Sequence, residues 1–249
     1  MTARHSAPAL VAFDTATEQL AVAVVGARTV CRNLPGGAAA STNLLPALED
    51  ALREAGLSWA DIDAVGFGRG PGAFTGLRTS CAVAQGLAFG LACPVLPIDS
   101  LQIVAEDAWQ TAGGPPAFDV GVAMDARMGE IYAAHYRRSG DAWQVLDPPM
   151  LTDPARLAAA WGAAPPMTCA GSALRLHGAH LGLAETGGPD REHDRAAALA
   201  ALVQQAWSQG AAVDPAQALP VYLRDRVALT TREREAARAE AGSNAVAGS

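Results

Sequence analysis

Two aspartates and one glycine-rich loop are the residues whose type and placement could do chemistry in this chain. Asp14 ends the apolar run 10–13 and opens a polar turn that reaches Glu18. Asp125 ends the run 122–124 and opens a turn at Arg127-Met128-Gly129. Facing each other across a cleft, two such carboxylates would make a general acid/base pair. Aspartate at a turn also bonds its own backbone, so each of the two has a structural role open to it as well. Each is followed by a returning β-prone run, 20–25 and 131–136, and the two positions are 111 residues apart. Each half of the chain therefore opens in the same way, which points to a duplicated α/β unit.

The loop is Gly66-Phe67-Gly68-Arg69-Gly70-Pro71-Gly72-Ala73-Phe74-Thr75-Gly76-Leu77-Arg78, set between an apolar run and a small-residue helix. Glycine lets other groups approach the main chain closely, and Pro71 restricts both itself and Gly70. A shaped strand-to-helix loop follows, with Thr75 as the expected helix cap. Its backbone N–H groups could cradle phosphate, but Leu77-Arg78 stands where a P-loop needs Lys and Ser or Thr. The alternative is a tight turn whose glycines serve packing. Arg69 and Arg78 could contact phosphate or a nucleic acid, or only brace the loop. Phe74 is either an anchor into the core or a contact for a partner.

The elements that must position these groups follow from pattern. Residues 10–25 read as a hairpin. A helix over 43–55 is expected to be capped by Ser41, Thr42 or Asn43, to hold Pro46 in its first turn and to end at Gly56. Leu44, Leu48, Ala51 and Ala55 fall at helical spacing, with Leu45 and Leu52 alongside, an apolar face wider than one sheet needs. A strand over 62–67 feeds the glycine loop. The helix after it carries Ala82, Gly86 and Gly90 at four-residue spacing beside Val83 and Leu87. That line suits close packing on the protein's own sheet or a docking face for another subunit. A strand over 94–98 precedes a helix capped by Asp99 or Ser100. Thr111 to Pro116 is the clearest linker. Gly171-Ser172-Ala173 is a second strand-to-loop junction, 196–209 is a helix, and Pro220-Val221-Tyr222-Leu223-Arg224 reads as an ordered last segment. Residues from 230 onward read as a frayed helix or disordered tail. These patterns divide the chain into 9–110, 117–228 and a tail, 229–249.

Composition narrows the function classes. All 18 basic residues are arginine and the net charge is −7, which argues against a broad nucleic-acid face on this chain alone. No apolar run approaches membrane-spanning length, and the first residues lack a signal-peptide core, so a cytoplasmic location is expected. Cys31, Cys81, Cys93 and Cys169 are widely spaced, and histidines 5, 135, 177, 180 and 193 form no metal-binding pair, so no metal site is expected. No Ser/His/Asp constellation stands out either, Ser172 and His177 being neighbours in sequence only.

Four motifs occur in order: Phe13-Asp14-Thr15-Ala16-Thr17-Glu18, the loop from Gly68 to Arg78 with Ala84-Gln85-Gly86-Leu87-Ala88, Asp125-Ala126-Arg127-Met128-Gly129-Glu130-Ile131-Tyr132, and Pro220-Val221-Tyr222-Leu223-Arg224. Together they resemble the TsaB (YeaZ) family of bacterial tRNA threonylcarbamoyladenosine biosynthesis proteins, over about residues 10–226. The resemblance implies an α/β, actin-like ATPase fold (sugar kinase/Hsp70/actin) of two ribonuclease-H-like subdomains, with mixed sheets flanked by helices. It implies a scaffold without catalysis of its own that pairs with TsaD and supports threonylcarbamoyl transfer to N6 of adenosine 37 in tRNAs reading ANN codons. TsaE would join the larger complex, a homodimer would form when TsaD is absent, and tRNA would be met through the complex. No cofactor is implied for the chain itself, although ATP or ADP at the subunit junction is an expectation. The partner face would fall on Leu44, Leu45, Leu48, Leu52, Ala82, Val83, Gly86, Leu87 and Gly90. The loop residues Gly68, Arg69, Gly70, Pro71, Gly72, Phe74, Thr75, Gly76 and Arg78 would lie at a nucleotide or partner contact. The chain departs from catalytic relatives in two places. Ala16 stands where an actin-like phosphate loop has glycine, and the 41–55 helix carries no histidine. An active nucleotide-dependent phosphotransferase or ATPase of the same fold is the alternative reading.

Overall fold

The computed structural model describes residues 7–179, 181 and 192–224. Its first sheet has the order β3-β2-β1-β4-β5. The strands are β1 (Leu10–Asp14), β2 (Gln19–Val25), β3 (Val30–Pro35), β4 (Ala64–Gly70) and β5 (Val95–Asp99). β2 lies antiparallel to β1 and β3, whereas β4 lies parallel to β1 and β5. The second sheet contains β6 (Ala117–Asp125), β7 (Ile131–Ser139), β8 (Ala142–Thr152) and β9 (Thr168–Ala170), in the order β8-β7-β6-β9. Here β7 is antiparallel to β6 and β8, and β9 is parallel to β6. Strands β6 to β9 thus repeat β1 to β4 one for one. This is a doubled ribonuclease-H-like arrangement, the actin-like ATPase fold, and Asp14 and Asp125 each end the first strand of their sheet.

Helices cover both faces of the first sheet, so β1 is buried from end to end. Alternation along the strands sorts side chains by size. Val11, Phe13, Leu20, Val22 and Val24 point into a cluster with α1 (Ala40–Ala55) and α2 (Phe74–Leu91). Leu10, Ala12, Ala21, Ala23 and Val25 face the other way, toward α6 (Arg195–Ser208). The alanines on that side leave room for a closely packed helix. Between the two sheets lies α3 (Ser100–Thr111), which packs Leu101, Val104 and Ala108 against Val120, Val122 and Tyr136 of the second sheet. The outer face of that sheet is covered by α4 (Pro154–Ala163) and α5 (Ala173–His177), through Leu157, Trp161 and Ala173.

Several sequence expectations need correction. None of Ser41, Thr42 and Asn43 caps α1. The helix starts directly from a 3-10 turn over Gly37–Ala39, with Ala39 at the cap position and no side-chain bond, so Pro46 sits in the second turn rather than the first. Thr75 does not cap α2; Ala73 holds that position in an extended conformation, and Thr75 lies inside the helix. Gly56 does end α1 with a left-handed conformation, φ 73°, and Asp99 caps α3 through the Leu101 and Gln102 N–H groups. The 117–228 segment is not wholly part of the second lobe, because α6 returns to cover the first sheet. The tail expected over 229–249, like His5 and His180, lies outside the described residues.

A candidate site in the cleft between the lobes

Between the lobes opens a cleft of about 530 Å³. The turn after β1 contributes Ala16 and Thr17, the glycine loop Gly72 and Phe74, and the second lobe Asp125, Tyr132 and Arg175. Asp14, expected on this cleft, lies beneath it and is fully buried. Its Oδ1 accepts the Ala16 N–H at 2.8 Å, the turn bond that short polar side chains make, and its Oδ2 accepts the Ser100 hydroxyl at 2.6 Å. Ser100 Oγ in turn accepts the Gly70 N–H at 3.0 Å, so the ends of β1 and β4 and the start of α3 share one buried network.

The decisive neighbour is Arg195, at the start of α6 and also fully buried. Its Nη2 donates to Asp14 Oδ1 and to the Ser100 carbonyl, both at 3.2 Å, while Nη1 donates to Glu192 at 2.7 Å. Burial works against the guanidinium charge, but Asp14 and Glu192 outweigh it and hold the Arg195 pKa above its ordinary value. Both oxygens of Asp14 are thereby engaged by the protein itself. Sequence reasoning missed Arg195, since nothing local marks an arginine 181 residues away as the partner.

Asp125 is partly buried and lines the cleft. Its Oδ1 accepts the Arg127 N–H at 2.9 Å, and its own N–H donates to Ser172 Oγ at 3.1 Å. The following turn puts Arg127, Met128 and Gly129 in the left-handed region, at φ 65°, 58° and 75°. That is strained for the two non-glycine residues. The structure therefore does not pair the two carboxylates as acid and base. One is sealed in an ion pair and the other braces a turn. Ser172 has no link to His177 among the described residues; its hydroxyl meets Asp125 and the Met124 sulfur.

Close packing explains the glycine loop. A Cβ on Gly68 would fall 1.6 Å from Asp14 Oδ2, and one on Gly76 would fall 1.9 Å from the Thr15 carbonyl oxygen. The α2 N-terminus is thus pressed against the Asp14 turn. Thr15 Oγ1 donates to the Gly76 carbonyl at 2.7 Å, and the Thr15 N–H donates to Ser80 Oγ at 3.3 Å. Pro71 is buried and follows a cis peptide bond with Gly70. Arg69 is exposed and gives its carbonyl to the Val221 N–H at 2.7 Å. Phe74 packs against Tyr222, with ring centroids 5.2 Å apart, and Arg78 lies 3.9 Å over the Phe74 ring while donating to the Tyr222 hydroxyl. The loop's large side chains thus meet the C-terminal segment.

The expected partner face divides in two. Leu44, Leu48 and Leu52 are buried in the first lobe's own core, so periodicity on α1 marked the inward face and these three are corrected to core residues. Val83 and Leu87 also pack against that core, partly exposed. Leu45, Ala82, Gly86 and Gly90 are exposed, and a Cβ on Gly86 or Gly90 would meet nothing within 4 Å. Phe89, which the sequence reading did not select, is 62% exposed beside them.

Among the described residues no group of histidine, cysteine and carboxylate side chains could hold a metal ion, and no helix is long and apolar enough to cross a membrane. Burial pushes the Cys31 and Cys81 thiols up to about 11 and Cys169 to about 12, with Asp194 adding to the effect at Cys31 and Asp119 at Cys169.

Comparison with known proteins places this geometry. The family model described as TsaD, tRNA N6-adenosine threonylcarbamoyltransferase, matches residues 36–177. The tRNA threonylcarbamoyladenosine biosynthesis protein TsaB of Escherichia coli (strain K12) is 42% identical over 130 residues, covering 52% of this chain and 55% of the relative. The TsaB of Haemophilus influenzae is 41% identical over 125 residues, covering 49% and 51%. The chain thus spans about half the length of the curated relatives it matches. Among solved structures, YeaZ from Pseudomonas aeruginosa matches with a TM-score of 0.75 and 35% identity, covering 87% of this chain and 100% of that one. A second structure, of a protein with similarity to peptidase YeaZ from the same organism, matches with a TM-score of 0.76 and 36% identity at the same coverage.

Proposed function

Because this chain belongs to the TsaB (YeaZ) family, we propose that it is a non-catalytic subunit of a cytoplasmic tRNA-modifying complex, which dimerises with TsaD and supports threonylcarbamoyl transfer to N6 of adenosine 37. The observation that carries the non-catalytic half of this reading is the buried Asp14–Arg195 pair. An actin-like ATPase uses the carboxylate at this turn on its nucleotide, and here both carboxylate oxygens are committed to Arg195, Ser100 and the Ala16 N–H. That weighs against the alternative of an active phosphotransferase. A nucleotide, where one takes part, is placed by this reading at the junction with TsaD. TsaE joins as a third component, and tRNA is held by the joint surface rather than by this chain of net charge −7.

The docking face in this proposal is the outer side of α2, where Ala82, Gly86, Phe89 and Gly90 are exposed, with Leu45 of α1 also exposed. Missing side chains let a partner helix approach closely, and an exposed phenylalanine gives it an apolar anchor. The test is light scattering after size-exclusion chromatography, on the chain alone and mixed with TsaD. A 1:1 complex that replaces any homodimer is expected, and Gly86→Leu is expected to abolish it while the chain stays folded. Normal complex formation by Gly86→Leu sinks the assignment of this face. ATP turnover by the isolated chain sinks the non-catalytic reading.

A further inference from the structure

The Pro220-Val221-Tyr222-Leu223-Arg224 motif has no part in the role proposed above, yet it touches both lobes. On the first lobe, the Val221 N–H donates to the Arg69 carbonyl, near the end of β4, at 2.7 Å. Tyr222 packs on Phe74 and takes a hydrogen bond from Arg78 Nε at 3.3 Å. Upstream, Gln85 of α2 donates to the Ala218 carbonyl at 3.2 Å. On the second lobe, Arg224 Nη2 donates to the Ala126 carbonyl at 2.9 Å and to Glu130 Oε2 at 2.5 Å, and Nη1 reaches the Met128 sulfur at 3.5 Å. Residues 221–224 also form one wall of the cleft.

We propose that 219–224 is an intramolecular strap that holds the two lobes closed over the cleft, with Arg224 as its anchor on the second lobe. The two anchors are three positions apart in the chain, at most about 11 Å of backbone. The lobes therefore cannot part far while Val221 and Arg224 both hold. Among the described residues Arg127 also pairs across the cleft, with Glu18 at 2.8 Å, but both side chains are mostly exposed and the pair adds little. Arg224 is the stronger anchor, because it is largely buried and bonds two kinds of acceptor: a main-chain carbonyl of the strained turn and a carboxylate. Release of Arg224 frees the strap, and the strap's release loosens the α2 N-terminus that Tyr222 covers. The inference does not rest on the docking role and concerns only how the lobes are held.

Amide hydrogen exchange of the whole chain tests it, comparing wild type with Arg224→Ala, Arg224→Lys and Tyr222→Ala. Arg224→Ala is expected to speed exchange at least tenfold both in the 126–130 turn and in 219–223, including the Val221 amide at the opposite anchor. Tyr222→Ala, cut at the other end, is expected to speed the same two regions. Unchanged exchange in β1 and β2 shows that the fold is intact. If Arg224→Ala does not fold, Arg224→Lys decides, with a several-fold rise expected in both regions. Acceleration confined to 126–130, with Val221 as protected as in wild type, would overturn the strap and leave Arg224 a local brace.

Discussion

At the scale of single residues, the Asp14–Arg195 pair is the feature with the largest expected consequence. Removing one partner of a buried ion pair leaves an uncompensated charge, which costs about 3–5 kcal/mol. Asp14→Ala is therefore expected to lose about that much in urea unfolding, and Asp14→Leu combined with Arg195→Met to recover most of it. A single-variant loss below about 1 kcal/mol would show that the pair contributes little. Gly68→Ala is expected to be comparably damaging, since its Cβ would overlap Asp14 Oδ2. The four thiols behave in the opposite way. With pKa values raised by burial at Cys31, Cys81 and Cys169, thiol-reactive dye at pH 8 is expected to label the native protein far more slowly than the urea-unfolded chain. Asp14 and Asp125 were legible as turn residues because the bond each makes to its own turn is local. Arg195 was not, because an ion pair closed across most of the chain leaves no mark on neighbouring residues.

At the scale of elements, α2 separates what packs from what is free. Gly86 faces open space, so Gly86→Leu is expected to leave the unfolding midpoint unchanged or raise it, a better helix former replacing glycine at about 0.5–1 kcal/mol. The β6–β7 pair makes a pH-dependent contribution. Burial works against the Asp119 charge, but hydrogen bonds from His135 at 2.7 Å, from Arg137 at 2.8 Å and from the Met167 N–H outweigh it, so its pKa is lowered. A carboxyl that ionises more readily in the folded state stabilises fully above the ordinary value near 4. That contribution is lost as pH falls through the lower folded value. Asp119→Asn is expected to destabilise by about 1–3 kcal/mol at pH 7, and by visibly less at pH 3, in parallel thermal melts. The strands over 10–25, 62–67 and 94–98 and the helices over 43–55 and 196–209 were readable from pattern, and the repeated hairpins from the 14/125 echo. What periodicity could not supply was direction. Leu44, Leu48 and Leu52 announce an apolar face, but a core and a partner interface ask for the same residues. The caps of α1 and α2 were misplaced because Ser41, Thr42 and Thr75 suit a cap wherever a helix begins, and neither helix uses a side chain for it.

At the scale of the whole molecule, the resemblance of the two sheets was visible as the 14/125 echo, while their sharing of helices was not. The first sheet takes one covering layer from nearby sequence, α1 and α2, and the other from α6, which follows the entire second sheet. That arrangement fixes an order of events during synthesis. When residue 110 has left the ribosome, the sheet has its strands but only one roof, and Leu10, Ala12, Ala21, Ala23, Leu96 and Ile98 face water until 195–208 has emerged. The nascent first lobe is thus a half-covered intermediate that invites chaperone binding or self-association. A fragment of residues 1–110 is expected to sediment as aggregate, and to become soluble when 192–224 is supplied in the same chain through a short flexible linker. Cutting at the boundary between the two repeats cannot separate them cleanly, because the first sheet relies on α6, which follows the second sheet, and the second sheet relies on α3, which precedes it.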